Sequence, residues 1–126
     1  MDIKDLLENN DRKLRIIQEL VPGKQITLAH IIASPDPIMY QKLGLNPEID
    51  FTGSAIGILT VSPAETAIIA ADIATKSGNI DLSFVDRFSG TLIITGLISD
   101  VESALKTICE YAESNLGFTV CKISRT

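Results

Sequence analysis

The sequence predicts an α+β fold of the ferredoxin-like, split βαβ type. From Ser54 onward, apolar extended runs and helical runs alternate in the order β-α-β-β-α-β. Each of the two helical runs opens on the pattern S-x-x-E and closes on a glycine, so the halves echo each other. The chain has 126 residues, 45% of them hydrophobic and 21% charged, which suits one folded domain with one core. Two helices packed on one face of an antiparallel sheet satisfy all three observations.

Residues 1–13 are charged and amide-rich, and Ile3, Leu6 and Leu7 make at most one apolar helical turn. They are expected to form a flexible tail, leaving a single domain over residues 14–126. "RIIQEL" and "QITLAHIIA" are extended β-branched runs flanking "VPGK", where Pro22 and Gly23 suit the centre of a type II turn. "SPDPIMYQKLG" reads as a short helix that begins near Pro35 or Pro37 and stops at Gly44. "LNPEIDFTGS" is a polar connector.

"SAIGILTV" is a nearly continuous apolar strand, and "SPAE" after it predicts a helix start with Ser62 as cap, Pro63 in the first turn and Glu65 closing a capping box. That helix is rich in alanine (Ala64, Ala67, Ala70, Ala71, Ala74), which permits close approach of the sheet beneath or of another subunit. Gly78 ends it. "NIDLSFVD" and "GTLIITGLI" are strands joined by the turn Phe88-Ser89-Gly90. "SDVE" predicts a second capping box, with Ser99 and Glu102, for a helix that Gly117 stops before a last strand, "GFTVCKIS".

The formal charge of −5 provides no basic footprint for nucleic acid or an anionic membrane. No apolar run approaches the ~20 residues of a spanning helix, and "MDIKDLLENN" lacks a signal peptide's apolar core, so a cytosolic address is expected. Cys109 and Cys121 form no CxxC and read as reduced thiols, small residues of a core. His30 has no ligand partners at metal spacing, so no metal site is expected. GxGxxG, GxxxxGK[ST] and GxSxG are all missing, and Asp86 beside Arg87 has no nucleophile or base near it. No cofactor and no catalysis are expected. An effector-binding regulatory domain shares this strand order and stays open as an alternative. An acylphosphatase-type enzyme would need an anion-cradling glycine-rich loop that the chain does not offer.

"AADIATKSGNIDLSFVDRFSGTLIITG" resembles the bacterial microcompartment (BMC) shell domain, in which a helix, a lysine-bearing link and a strand lead into a Gly-Ser-Gly-like turn. "LVPGKQITLAHIIASPDPIMYQKLGL" is similar to the circularly permuted branch of that family, the ethanolamine-, propanediol- and choline-utilization subunits. There, a strand and helix normally found at the C-terminus come first. The likeness covers residues 14–126. It implies a structural tile in the shell of a cytoplasmic bacterial microcompartment, built as a homohexamer and set edge to edge with other shell proteins around metabolic enzymes.

The resemblance also implies site residues. The turn Asp86-Arg87-Phe88-Ser89-Gly90 would line a pore on the ring axis, with Phe88 where the family usually has a small glycine, so that the pore is narrowed or sealed. Residues Ile16, Ile17, Gln18, Glu19 and Leu20, within the segment 14–25, would form a strand of a small barrel capping that pore. Its apolar outer face would suit an encapsulated or shell-associated protein. Lys76 would be the edge contact between rings. Ser34 stands where an arginine usually helps that edge, which implies a weaker edge than usual.

Overall fold

A computed structural model describes residues 23–47 and 53–126. The tail 1–13, the strand expected over Arg15–Leu20, Pro22 of the type II turn and the middle of the connector lie outside the described residues.

The elements run β1 (Gln25–Ile32), α1 (Ile38–Lys42), β2 (Ala55–Ser62), α2 (Thr66–Ser77), β3 (Asp81–Asp86), β4 (Thr91–Gly96), α3 (Ile98–Asn115), β5 (Thr119–Val120) and β6 (Ser124–Arg125). One sheet holds all the strands in the order β3-β4-β2-β1-β5, and β6 also pairs with β1. Neighbours from β3 to β1 are antiparallel. β5 and β6 run parallel to β1.

That order is the one the circularly permuted arrangement implies. In a split βαβ sheet made only from the chain after Ser54, the last strand would lie beside β2. Here β1 takes that place, and the C-terminal strand sits outside it. The circular permutation is thus visible as a strand position. The last strand is also two short pieces rather than one. Thr119 and Ser124 keep the same offset to their partners Gln25 and His30, and the gap faces the stretch of β1 where the ladder shifts register between Ile26 and Leu28. A bulge interrupts pairing locally, which accounts for the break.

β2 alternates as a sheet with one helix-covered face should. Ala55, Leu59 and Val61 join the main core, while Ile58, Thr60 and Ser62 point the other way and are half-buried. α3 presents Val101, Ala104, Leu105, Ile108, Cys109 and Ala112 at helical spacing, all buried. Burying Leu105 or Ile108 contributes about 1.5–3 kcal/mol each. α2 buries its small residues instead: Ala67, Ala70, Ala71 and Ala74 face the core, whereas Ile68 and Ile69 are exposed. The alanines therefore bring the helix close to its own sheet.

Neither expected capping box forms. The cap of α2 is Glu65, because Ser62 still belongs to β2 and the chain crosses a cis Ser62-Pro63 bond before the helix. Short-range bonds from Thr66 N–H to Pro63 and from Ala67 N–H to Ala64 occupy the first orphan donors. α3 begins one residue before Ser99, and Leu97 caps it with extended backbone and no side-chain bond. Its first-turn acid is Asp100, which suits the positive end of the helix dipole. Pro37, Gly44, Gly78 and Gly117 stand at helix limits as expected.

α3 lies against β2 at Gly57. A Cβ there would sit 2.8 Å from Val101 Cγ1 and 2.9 Å from Ile94 Cγ1, closer than side chains pack. Gly57→Ala is therefore expected to destabilise the domain by about 1–3 kcal/mol, read from the midpoint of urea unfolding. An unchanged midpoint would show that α3 shifts freely over the sheet.

Candidate functional site

The β3–β4 turn is built around an aspartate. Asp86 Oδ1 accepts the Phe88 backbone N–H at 2.9 Å, and Oδ2 accepts the Ser89 hydroxyl at 2.8 Å. The Gly90 N–H donates to the Asp86 carbonyl at 2.9 Å, closing the loop. The Ser89 and Thr91 hydroxyl oxygens are also bonded, 3.0 Å apart, and with the Ser89 proton on Asp86 the Thr91 hydroxyl donates. These bonds favour the carboxylate over the acid: the Phe88 N–H first, then the Ser89 hydroxyl, hold the Asp86 carboxyl below its ordinary range.

Gly90 decides where the turn sits. It is buried, its φ is +74°, and a Cβ on it would overlap the Val61 carbonyl oxygen and crowd Ala64 Cα at 3.1 Å. Its own carbonyl accepts the Val61 N–H at 2.9 Å. Backbone alone thus ties the turn to the end of β2 and the entry to α2. Of the five residues expected at a pore, Gly90 is internal and Asp86 is folded back into the turn, half-buried.

Arg87, Phe88 and Ser89 remain on the outside. Phe88 is 82% exposed, far more than the other exposed apolar residues of the fold, such as Leu97 at 63%. The Arg87 guanidinium carbon lies 5.0 Å from the centre of the Phe88 ring, within cation–π reach. The turn thus presents the phenyl ring to solvent, with the guanidinium laid against it.

Lys76 falls in the last turn of α2, where its charge suits the dipole, and its ammonium is 2.7 Å from Asp72 Oδ2 one turn back. The Asp72 bond raises the lysine's pKa, though both side chains are well exposed. His30, in β1, is bonded through Nδ1 to the Ser124 hydroxyl at 2.6 Å and through Nε2 to the Thr126 hydroxyl at 2.8 Å. It fastens the C-terminal strand. Cys109 is buried in the core, which pushes its thiol up to about 11, and Cys121 is half-buried beside the same core. Among the described residues, no group of three or more His, Cys, Asp and Glu gathers to hold a metal. Ser34 follows β1 on an irregular link. The expected strand Ile16, Ile17, Gln18, Glu19 and Leu20 lies outside the described residues.

The organising role of Asp86 was missed in the sequence, where it read as a solvated neighbour of Arg87. The available signal was an aspartate two residues before an N–H it can accept and three before a serine, the spacing of an Asx turn.

The family model for the BMC domain matches residues 55–124, which span β2 to the start of β6. The chain belongs to the BMC-domain family. It is 52% identical over 112 residues to the bacterial microcompartment shell protein PduU of Salmonella typhimurium (strain LT2), covering 89% of this chain and 93% of PduU. To EutS of Escherichia coli (strain K12), a shell protein of the same kind, it is 45% identical over 114 residues, covering 90% and 98%. Among solved structures, the CutR flat hexamer superposes with a TM-score of 0.76 at 48% identity, covering 84% of this chain and 94% of CutR. A CutR screw of 41.9 Å pitch superposes at 0.73 and 48% identity, covering 83% and 100%. The chain is a bacterial microcompartment shell subunit, and its relatives are structural proteins rather than enzymes. The effector-domain alternative finds no support among them.

Because the bonds to Asp86 favour its charged form, they stabilise the fold above the ordinary carboxylate pKa and fade as pH falls through the lowered one. Asp86→Asn is expected to lower the melting temperature at neutral pH. The gap from wild type should narrow as pH drops from about 5 towards about 3, through the carboxylate range. A gap that stays constant with pH would mean that the carboxylate charge does not hold the turn.

Proposed function

We propose that this chain forms a hexameric ring in the cytoplasmic shell of a bacterial microcompartment, with the 86–90 turn at the ring axis and Phe88 closing most of the opening. The observation that carries this reading is Phe88 itself: a large apolar ring, almost wholly exposed, on a turn pinned by its own backbone. Repeated about an axis, such rings meet one another and leave water. CutR, a close structural neighbour, is known both as a flat hexamer and as a screw. A head-to-tail contact closes into a ring when its rotation divides the circle and into a helix when it does not.

The partners in this reading are further copies of the chain and other shell proteins at the outer edge. Lys76 is the edge contact: its stem lies along a neighbouring ring, and its ammonium exchanges a weak exposed bond to Asp72 for the carbonyls of that neighbour. The segment Ile16, Ile17, Gln18, Glu19 and Leu20 caps the axis and offers its outer face to an enclosed or shell-associated protein. No cofactor takes part.

Two substitutions test the two ends of the tile. Phe88→Gly should leave the ring intact by size exclusion and widen the axial opening in its structure; an opening of unchanged width would remove Phe88 from the axis. Lys76→Ala should leave rings intact but abolish the sheets seen by negative-stain imaging. Sheets that persist would place the edge contact elsewhere.

A further inference from the structure

We propose that the sheet face turned away from the helices is the surface on which successive copies of this chain pack, with Phe84 as its anchor; this rests on the ring reading above. Residues paired across a ladder share a face. The registers Phe84↔Ile93, Ile93↔Ile58 and Ile58↔His30 therefore set one row across β3, β4, β2 and β1. Phe84, Ile93 and Ile58 stand outside the core cluster, on the side that α2 and α3 do not cover. Phe84 is 45% exposed, and Leu28, opposite Thr60 in the next row, is exposed as well.

The polar side chains of this face already have partners inside the subunit. His30 is bonded through both ring nitrogens, to Ser124 and Thr126. Thr60 Oγ1 lies 2.7 Å from Thr27 Oγ1, and Thr95 Oγ1 lies 2.9 Å from Ser83 Oγ. A face that carries apolar side chains and satisfied hydroxyls loses little when water leaves it, because no polar group is stranded.

Strand direction decides what covers the face. The 86–90 turn lies at one end of the strands, where Gly90 accepts the Val61 N–H and Gln25 stands opposite Ser62. Lys76 lies at the other end, ahead of the start of β3. With the turn at the axis and Lys76 at the rim, the strands run outward, and the face looks towards neither. It looks towards the next copy or towards a water-facing surface of the tile, and exposed apolar patches mark contact sites. The face also continues the axial contact, since Phe84 lies on the strand that leads into the turn bearing Phe88. A second copy of this chain is therefore the occupant.

The test is the oligomeric state of the full-length protein, followed by sedimentation velocity over a concentration series. Phe84→Asp should raise the chain concentration at half-dissociation at least about tenfold, as loss of a buried apolar anchor does. Its circular dichroism should stay that of the wild type, because Phe84 is outside the core. Phe84→Leu should keep the ring. Leu82→Asp is the control: Leu82 is as exposed, at 44%, and on the same strand, but it pairs with Ile94 on the helix side. It should dissociate as the wild type does. If Phe84→Asp loses its secondary structure, Leu28→Asp decides in its place, with the same dissociation expected. A ring as tight as the wild type in the deciding variant, or an equal loss in Leu82→Asp, would overturn this inference and leave the tile reading standing. Wild-type chains that stay monomeric at every concentration would overturn both.

Discussion

The contact between Gly90 and the end of β2 is the constraint on which the rest of the architecture depends. Three parts of the chain meet there: the hairpin of β3 and β4, the last residues of β2, and the entry to α2 at Ala64. A side chain at position 90 would need both a left-handed backbone, which costs about 1–2 kcal/mol for non-glycine residues, and room already taken by the Val61 carbonyl. With glycine there, one backbone bond fixes the turn to the sheet and Asp86 organises what lies beyond it. Arg87 and Phe88 are thereby aimed outward by backbone, so side-chain packing is not needed to hold them. The proposed ring, with this turn at its axis, draws on that rigidity.

The opposite end of the sheet is arranged by β1. Its antiparallel place beside β2 fills the position that the terminal strand holds in the unpermuted topology, and β5 and β6 are left to run along its far edge. Their hold is slight, two residues each, and His30 reinforces it with two hydroxyl bonds. The single histidine of the chain is used as a clasp between strands. Permutation thus changes which stretch of chain lies at the edge while keeping two helices on one face of the sheet.

Much of this was legible in the residues. The strand and helix order from Ser54 came from periodicity and glycine stops, and the core stripe of α3 is spaced as an amphipathic helix requires. The capping boxes were misread because S-x-x-E says only that a cap is possible. β2 holds Ser62 in its ladder, and α3 starts ahead of Ser99, so neither serine is where a cap must be. The face of α2 could not be read either: its alanines and isoleucines are intermixed, and only contact with the sheet decides that the small residues go inside. The tile itself came from resemblance. Composition and spacing reach a ferredoxin-like domain and stop, since a fold of that kind serves many functions.

The central claim is that the 86–90 turn is presented to other copies of the same chain around an axis. Electron cryo-microscopy of the purified full-length protein, at a resolution that shows side chains, tests it most directly. The account predicts a closed ring, or a shallow helix with the same head-to-tail contact, in which the Phe88 rings of successive copies converge on the axis with Arg87 beside them. Particles in which Phe88 faces the outer rim or open solvent would contradict it.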